Sequence, residues 1–194
     1  MRKLLLVLAL ASLCWTSGAG AVPIQWPLAS GGTGHWYEFF ESGAAITWTV
    51  ARSAAEQRGG YLATITSGAE DSWVIAHIVS PGDPGSGIAG PWLGGYQDTG
   101  SPAYSEPASG WAWVTGETWS YTGWAGIEPN NSTPPGENYL HYLSWSSLWW
   151  NDTIHDSSGL SSYVVEYDTN PIPEPSTALL LGLGLAGLAA RKRV

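Results

Sequence analysis

Two short stretches of the chain concentrate oxygen-bearing side chains. The first is Glu128-Pro129-Asn130-Asn131, with Glu137-Asn138 close behind; the second is Trp150-Asn151-Asp152. Calcium is a hard cation that takes roughly six to eight oxygens from carboxylates, amide carbonyls and backbone carbonyls. Glu128, Asn130, Glu137, Asn151 and Asp152 offer five such side chains, three of them carboxylates. Without an ion between them those carboxylates repel one another. Pro129, between Glu128 and Asn130, is placed to hold both side chains toward one ion, a cis bond being one way to do so. Taken alone, Glu-Pro-Asn-Asn is a loop signal whose ordinary reading is an Asx-type turn. Its partnership with Trp-Asn-Asp favours a metal site.

Other chemistries fit less well. Glu128 and Asp152 would be the carboxylate pair of a glycoside hydrolase. Asn neighbours and a calcium cage would keep both ionised, and no general acid stands out, so no catalytic residue is expected. His35, His77, His141 and His155 show no zinc spacing and read as structural. Gly85 to Gly90 matches a phosphate-cradle pattern, but it follows Pro-Gly-Asp-Pro and precedes Pro91, without the flanking strand and helix. Sixteen acidic residues stand against seven Lys and Arg, and between the chain ends the only cations are Arg52 and Arg58. That excludes a phosphate-backbone binder and argues against anionic membrane surfaces for the middle of the chain.

The elements that must position the oxygen cluster are mixed. Trp36 to Phe40 and Tyr61 to Ile65 read as strands. Thr49 to Arg58 reads as a helix with a Gly59-Gly60 exit. Ser67 and Glu70 form a capping-box pattern opening a second helix that carries Trp73, Ala76 and His77. Short aromatic strands are expected at Trp92-Leu93, Trp111 to Val114, Tyr139 to Leu143, Leu148 to Asn151 and Ser162 to Glu166. Helices first and strands with loops after predict an α+β fold with two helices, small antiparallel sheets and a long loop region.

The ends read as addresses. A basic start, an apolar run from Leu4 to Leu13 and a small-residue site at Ala19-Gly20-Ala21 predict a signal peptide over residues 1–21. Its Cys14 is the only cysteine, so the mature chain is expected to be free of disulfides. Residues 22–34 read as a connector, 35–168 as the folded domain, 169–172 as a linker and 173–194 as a sorting tail. In that tail Pro173-Glu174-Pro175 precedes an apolar segment, Ala178 to Ala190, and the basic Arg191-Lys192-Arg193. The order resembles the PEP-CTERM tail of Gram-negative bacteria. The resemblance implies transient inner-membrane anchoring, cleavage by an exosortase, and a cell-surface, matrix or secreted destination.

From His35 to Asp168 the chain resembles the C-type lectin domain. The resemblance rests on His35-Trp36-Tyr37-Glu38, the helix ending at Gly59-Gly60-Tyr61-Leu62, and the helix from Ser67. It continues through Trp92-Leu93-Gly94-Gly95, Trp113 to Glu117 and Trp124, then Glu128-Pro129-Asn130, Trp150-Asn151-Asp152 and Tyr163 to Glu166. It implies that Glu128, Asn130, Glu137, Asn151 and Asp152 hold a calcium ion that also binds two neighbouring sugar hydroxyls. The Glu-Pro-Asn order is similar to that of members taking mannose, glucose, N-acetylglucosamine or fucose. The expected function is therefore calcium-dependent, mannose-type binding of carbohydrate, with extracellular polysaccharide as partner. The alternative is a structural or adhesive matrix protein that binds no sugar. Trp124, Trp145, Trp149 and Trp150 are candidates to stack on sugar rings. The resemblance also implies departures: Ala55 with Val165, and Tyr139 with His155, stand where the family has disulfides. Asn131 and Asn138 stand where some members have Asp at a second calcium site, which is not expected here.

Overall fold

The computed structural model describes residues 22–79, 90–143 and 149–172. The signal segment, the sorting motif Pro173-Glu174-Pro175 and its tail, loop residues 85–89, Trp145 and Leu148 lie outside the described residues. Among the described residues no helix is long and apolar enough to cross a membrane.

The first helix, α1 (Trp48–Gln57), begins one residue earlier than its Ala-rich pattern suggests. Thr47 is its cap, the hydroxyl accepting from the Val50 amide. Gly59, at φ +82°, turns the chain out as expected. Ser67 caps α2 (Gly68–Val74) by accepting from Glu70 N at 3.2 Å. The reciprocal half of the capping box is displaced: the Glu70 carboxylate takes the amide and hydroxyl of Thr66 instead, at 2.8 and 2.9 Å. A π-helical turn, Ile75–Val79, continues α2 and includes Ala76 and His77.

The strands are β1 (Ile24–Gln25), β2 (Trp36–Glu41), β3 (Tyr61–Leu62), β4 (Trp92–Gln97), β5 (Trp111–Trp113), β6 (Tyr139–Tyr142), β7 (Trp150–Thr153) and β8 (Ser162–Tyr167). They form one sheet in the order β1-β2-β8-β4-β6-β7, with β3 on β8 and β5 on β4. The architecture is α+β, as expected. The sheet is mixed, because β4 runs parallel to β8 while the other pairs are antiparallel. The strand expected at Tyr61 to Ile65 is confined to two residues. Within residues 22–34, read from sequence as a connector, β1 pairs with β2 and Trp26 is buried.

Two apolar clusters fill the molecule. Trp48, Ala51 and Ala55 of α1 pack on Leu62, Trp92 and Val165. Tyr37, Trp113, Leu140 and Trp150 belong to the larger cluster beneath α2 and the loop half. Two of the buried indoles pair their N–H groups across the core: Trp48 donates to Leu93 O and Trp92 to Ile46 O, both at 2.8 Å. Close approach fixes Gly94, where a Cβ would meet Leu62 O at 2.4 Å.

Candidate functional site

β6 and β7 form the platform on which the oxygen cluster is assembled. Their antiparallel register sets Leu140 opposite Asp152 and His141 opposite Asn151. Trp124 bridges to Trp150, with Trp150 N donating to Gly123 O and Ala125 N to Trp150 O. The chain then turns, Glu128 N donating to Ala125 O, and enters a cis Glu128–Pro129 bond. The loop carrying Glu128 and Asn130 is thereby laid beside β7.

Asp152 fastens that loop. Its carboxylate accepts from Asn130 N at 3.1 Å and Asn131 N at 2.8 Å, and the residue is 1% exposed. Glu137, also buried, accepts from Ser132 N at 2.6 Å. Ser132 N also reaches Asn130 Oδ1 at 2.8 Å, which is the Asx-type turn. Asn131 adopts a left-handed φ of 49°, and its Oδ1 accepts from Glu137 N, closing the loop. That side chain is engaged in closing the loop.

Asn151 is oriented from below. Its Nδ2 donates to His141 Nε2 at 3.0 Å and to the Asp152 carbonyl, which leaves Oδ1 as its acceptor atom. His141 is a site residue that sequence reasoning missed, since an isolated histidine in an aromatic strand carries no ligand signal. Burial pushes its ring down to about 4, so it is a neutral acceptor at ordinary pH.

The structure thus gathers Glu128, Asn130, Glu137, Asn151 and Asp152 around one loop. The Glu128 carboxyl is pushed up to about 7, by burial first, then by hydrogen bonding to Asp152 and by the charges of Asp152 and Glu137. Asp152 is also raised, by burial, against the lowering effect of the Asn131 and Asn130 amides. Glu128 Oε2 is buried and lacks a hydrogen-bond partner. Arg52 pairs with Glu56 and Arg58 lies over Phe40, so neither lends its charge to this cluster. Among the described residues no three His, Cys, Asp or Glu side chains are arranged as a metal cage. Glu137 and Asp152 are turned onto the amides of residues 130–132. Each carboxylate oxygen retains a second lone pair, so the donor set still suits a hard cation.

A separate cavity of about 370 Å³ is lined by His35, Tyr61, Thr115, Glu117 and Asp168. Its acids are paired within the wall, Asp168 with the Tyr61 hydroxyl and Glu117 with Thr115. The histidines all have partners: His35 on Glu166, His77 on the Trp73 carbonyl, His141 on Asn151 and His155 on Thr49.

Comparison with known proteins agrees with this architecture. A perlucin-like protein of Mytilus galloprovincialis is 29% identical over 117 residues, 60% of this chain and 67% of that protein. The C-type carbohydrate-recognition domain of cow CD23, solved in the presence of a GlcNAc2Man3 oligosaccharide, superposes with a TM-score of 0.52 at 26% identity. It covers 68% of this chain and 86% of that one. A calcium-independent type II antifreeze protein superposes with a TM-score of 0.50 at 22% identity, over 76% of this chain and 95% of its own. The PEP-CTERM protein-sorting motif matches residues 171–193. The chain carries a C-type lectin-like domain followed by a PEP-CTERM sorting motif, which marks it for export and C-terminal sorting in Gram-negative bacteria.

Proposed function

We propose that the protein is an exported, calcium-dependent carbohydrate-binding protein of mannose-type selectivity, acting without catalysis on extracellular polysaccharide. The observation that carries this reading is the unpartnered Glu128 Oε2, buried beside two further carboxylates with no side-chain cation among the described residues to balance them. Such a cluster is stabilised by a divalent ion. Glu128, Asn130, Glu137, Asn151 and Asp152 would hold the calcium, which would supply vacant coordination positions for two neighbouring sugar hydroxyls. Carboxylates accept a proton from each hydroxyl and amide nitrogens donate one. Glu128 and Asn130 serve one side of the sugar, Glu137 and Asn151 the other. The Glu-Pro-Asn order supports mannose-type selectivity, and the cow CD23 domain supports an oligosaccharide as the class of ligand. The sorting motif supports exosortase processing after transient inner-membrane anchoring, with delivery to the cell surface or matrix. The proposed boundaries are a signal peptide over 1–21, a domain over 35–168 to which residues 22–34 add β1 and the buried Trp26, and the tail from 173.

One observation favours a second reading, a structural matrix domain. Asp152 and Glu137 already satisfy the loop amides, so the loop closes without an ion, and one similar fold is calcium-independent. Calcium titration followed by a glycan array with and without chelator separates the two. Calcium-dependent retention on mannose-type glycans supports the first; absence of any sugar binding supports the second. Galactose-only or calcium-independent binding contradicts the proposed selectivity or mechanism. Glu128→Gln with Asn130→Asp is expected to move preference toward galactose on the same array.

A further inference from the structure

Nearly all the tryptophans of the folded domain have a structural explanation. Trp26, Trp48, Trp92, Trp111, Trp113 and Trp150 are at most 7% exposed, and Trp36, Trp73, Trp119 and Trp124 pack against the cores. Trp124 meets the faces or edges of Trp111, Trp119 and Trp150. Trp149 differs: it is 52% exposed, the most exposed tryptophan among the described residues. Leaving that much indole in water forgoes apolar burial that the fold obtains from the others.

Its position is also specific. The backbone ladder continues one step beyond β7, Leu143 N donating to Trp149 O at 2.7 Å. Strand side chains alternate, so Trp149 shares a face with Asn151, roughly 7 Å away along the strand, while Trp150 and Asp152 take the other face. At the other chain segment of the cluster, Ile127 is 83% exposed and directly precedes Glu128. Exposed apolar groups therefore flank the oxygen cluster at both of its chain segments. A ligand matching such a surface needs vicinal hydroxyls at one edge and an apolar C–H face beside them. A pyranose has both. Aromatic side chains offer a flat, polarisable surface to such C–H groups at little conformational cost.

We infer that Trp149 is the stacking platform of the sugar site, with the exposed Ile127 beside Glu128 as a second apolar contact. The inference rests on the sugar-binding reading above and deepens it: Trp149 fixes ring orientation and selectivity while the oxygen cluster engages the hydroxyls. Trp149 contacts sugar and not the ion, so its removal alters sugar affinity and leaves calcium affinity alone.

The test uses the full chain and its Trp149→Ala, Trp149→Gln and Trp149→Phe variants. Calcium binding is followed by the melting temperature, and methyl α-mannoside binding by calorimetry in saturating calcium. The expected result is a loss of about tenfold or more in sugar affinity for Ala and Gln. Phe should restore affinity to within a few-fold, and the calcium-induced melting shift should stay the same in all four proteins. Unchanged sugar affinity in Trp149→Gln, with the wild type still binding in calcium, overturns the platform and leaves the calcium–sugar reading standing. A parallel loss of the calcium shift also overturns it, since the indole would then be supporting the loop. Absence of binding by the wild type to mannoside or any arrayed glycan overturns both. If Ala impairs folding, the comparison of Gln with Phe decides.

Discussion

Asp152 has two tasks that a substitution can separate. Its carboxylate is a candidate calcium ligand and also the acceptor for the amides of Asn130 and Asn131. Asp152→Ala leaves both amides without a partner, a cost of about 1–3 kcal/mol for each one that water does not reach. Asp152→Asn keeps an acceptor oxygen but removes the charge. The two amides use different oxygens of Asp152, so the NH2 of Asn would face one of them; thermal melts in chelator should therefore show Asn below the wild type and Ala lower still. With added calcium neither variant should gain the wild-type increment. A wild-type increment in Asp152→Asn would remove Asp152 from the ligand set. His141 permits a complementary experiment. Its Nδ1 is buried without a partner while Nε2 holds the Asn151 amide. His141→Leu deletes one unsatisfied group, so stability in chelator should change by less than about 1 kcal/mol. Asn151 then loses its anchor, and the calcium titration midpoint should move to higher concentration.

At the scale of elements, β2, α2 and β8 are joined by a buried polar network remote from the oxygen cluster. The Tyr37 hydroxyl lies 2.5 Å from Glu70 Oε1 and 3.1 Å from Glu166 Oε1. Glu166 also accepts from Thr64 N, and its Oε1 meets His35 Nδ1 at 2.7 Å. Burial pushes the Glu166 carboxyl up to about 7, against the lowering influence of His35 and the Thr64 amide. His35 is raised, chiefly by its hydrogen bond to Glu166, with Asp168 and Glu117 adding their charges. A carboxyl raised in the folded state binds more protons folded than unfolded, so its contribution is fully present below its ordinary 4.5 and is lost as pH rises from there through about 7. The raised histidine contributes fully below its ordinary 6.5 and is lost as pH rises through its folded value. Both act in one direction. The melting temperature in chelator should fall by a few degrees between pH 5.5 and 8, and Glu166→Gln should flatten that slope. Tyr37→Phe should cost about 1–3 kcal/mol by leaving two buried carboxylates without their shared donor. The sequence marked part of this network. Ser67 and Glu70 announced a capping box, and the cap formed, but the Glu70 carboxylate went to Thr66 and Tyr37. Local spacing cannot show that a partner from β2 will compete for a side chain. The two-residue β1 was invisible for a related reason: it is a strand only because β2 lies beside it. Helix α1 and the six-residue strands β2 and β8 were legible, because their own periodicity and caps suffice. In the oxygen cluster, residue types and spacing pointed to all five candidates, whereas His141 entered through register alone.

At the scale of the molecule, stability must come without covalent staples. Cys14, the only cysteine, precedes the folded domain. Where the lectin-domain resemblance places disulfides, packing stands instead. Ala55 and Val165 are fully buried in one core cluster. Tyr139 and His155 meet edge to face, with ring centroids 5.6 Å apart, and His155 reaches Thr49 at the start of α1. Ala55 and Val165 both border Gly60: its amide donates to Ala55 O, and a Cβ built on it would lie 2.7 Å from Val165 Cγ1. That shared neighbour makes the pair a place to restore a cross-link. Ala55→Cys with Val165→Cys would close a long loop, for which chain-entropy arguments give about 2–4 kcal/mol. No native thiol of the folded domain competes for the new pair. Oxidised variant should melt higher than its reduced form in chelator, by roughly 5–10 °C. The oxygen cluster shares no partner with the cross-link, so the two effects should add. Calcium should then raise the melting temperature of the oxidised variant by an increment similar to the wild type's. A calcium increment that vanishes once the disulfide forms would mean the ion stabilises the core half of the fold. Additive increments would mean that it acts on the loop between Glu128 and Asp152.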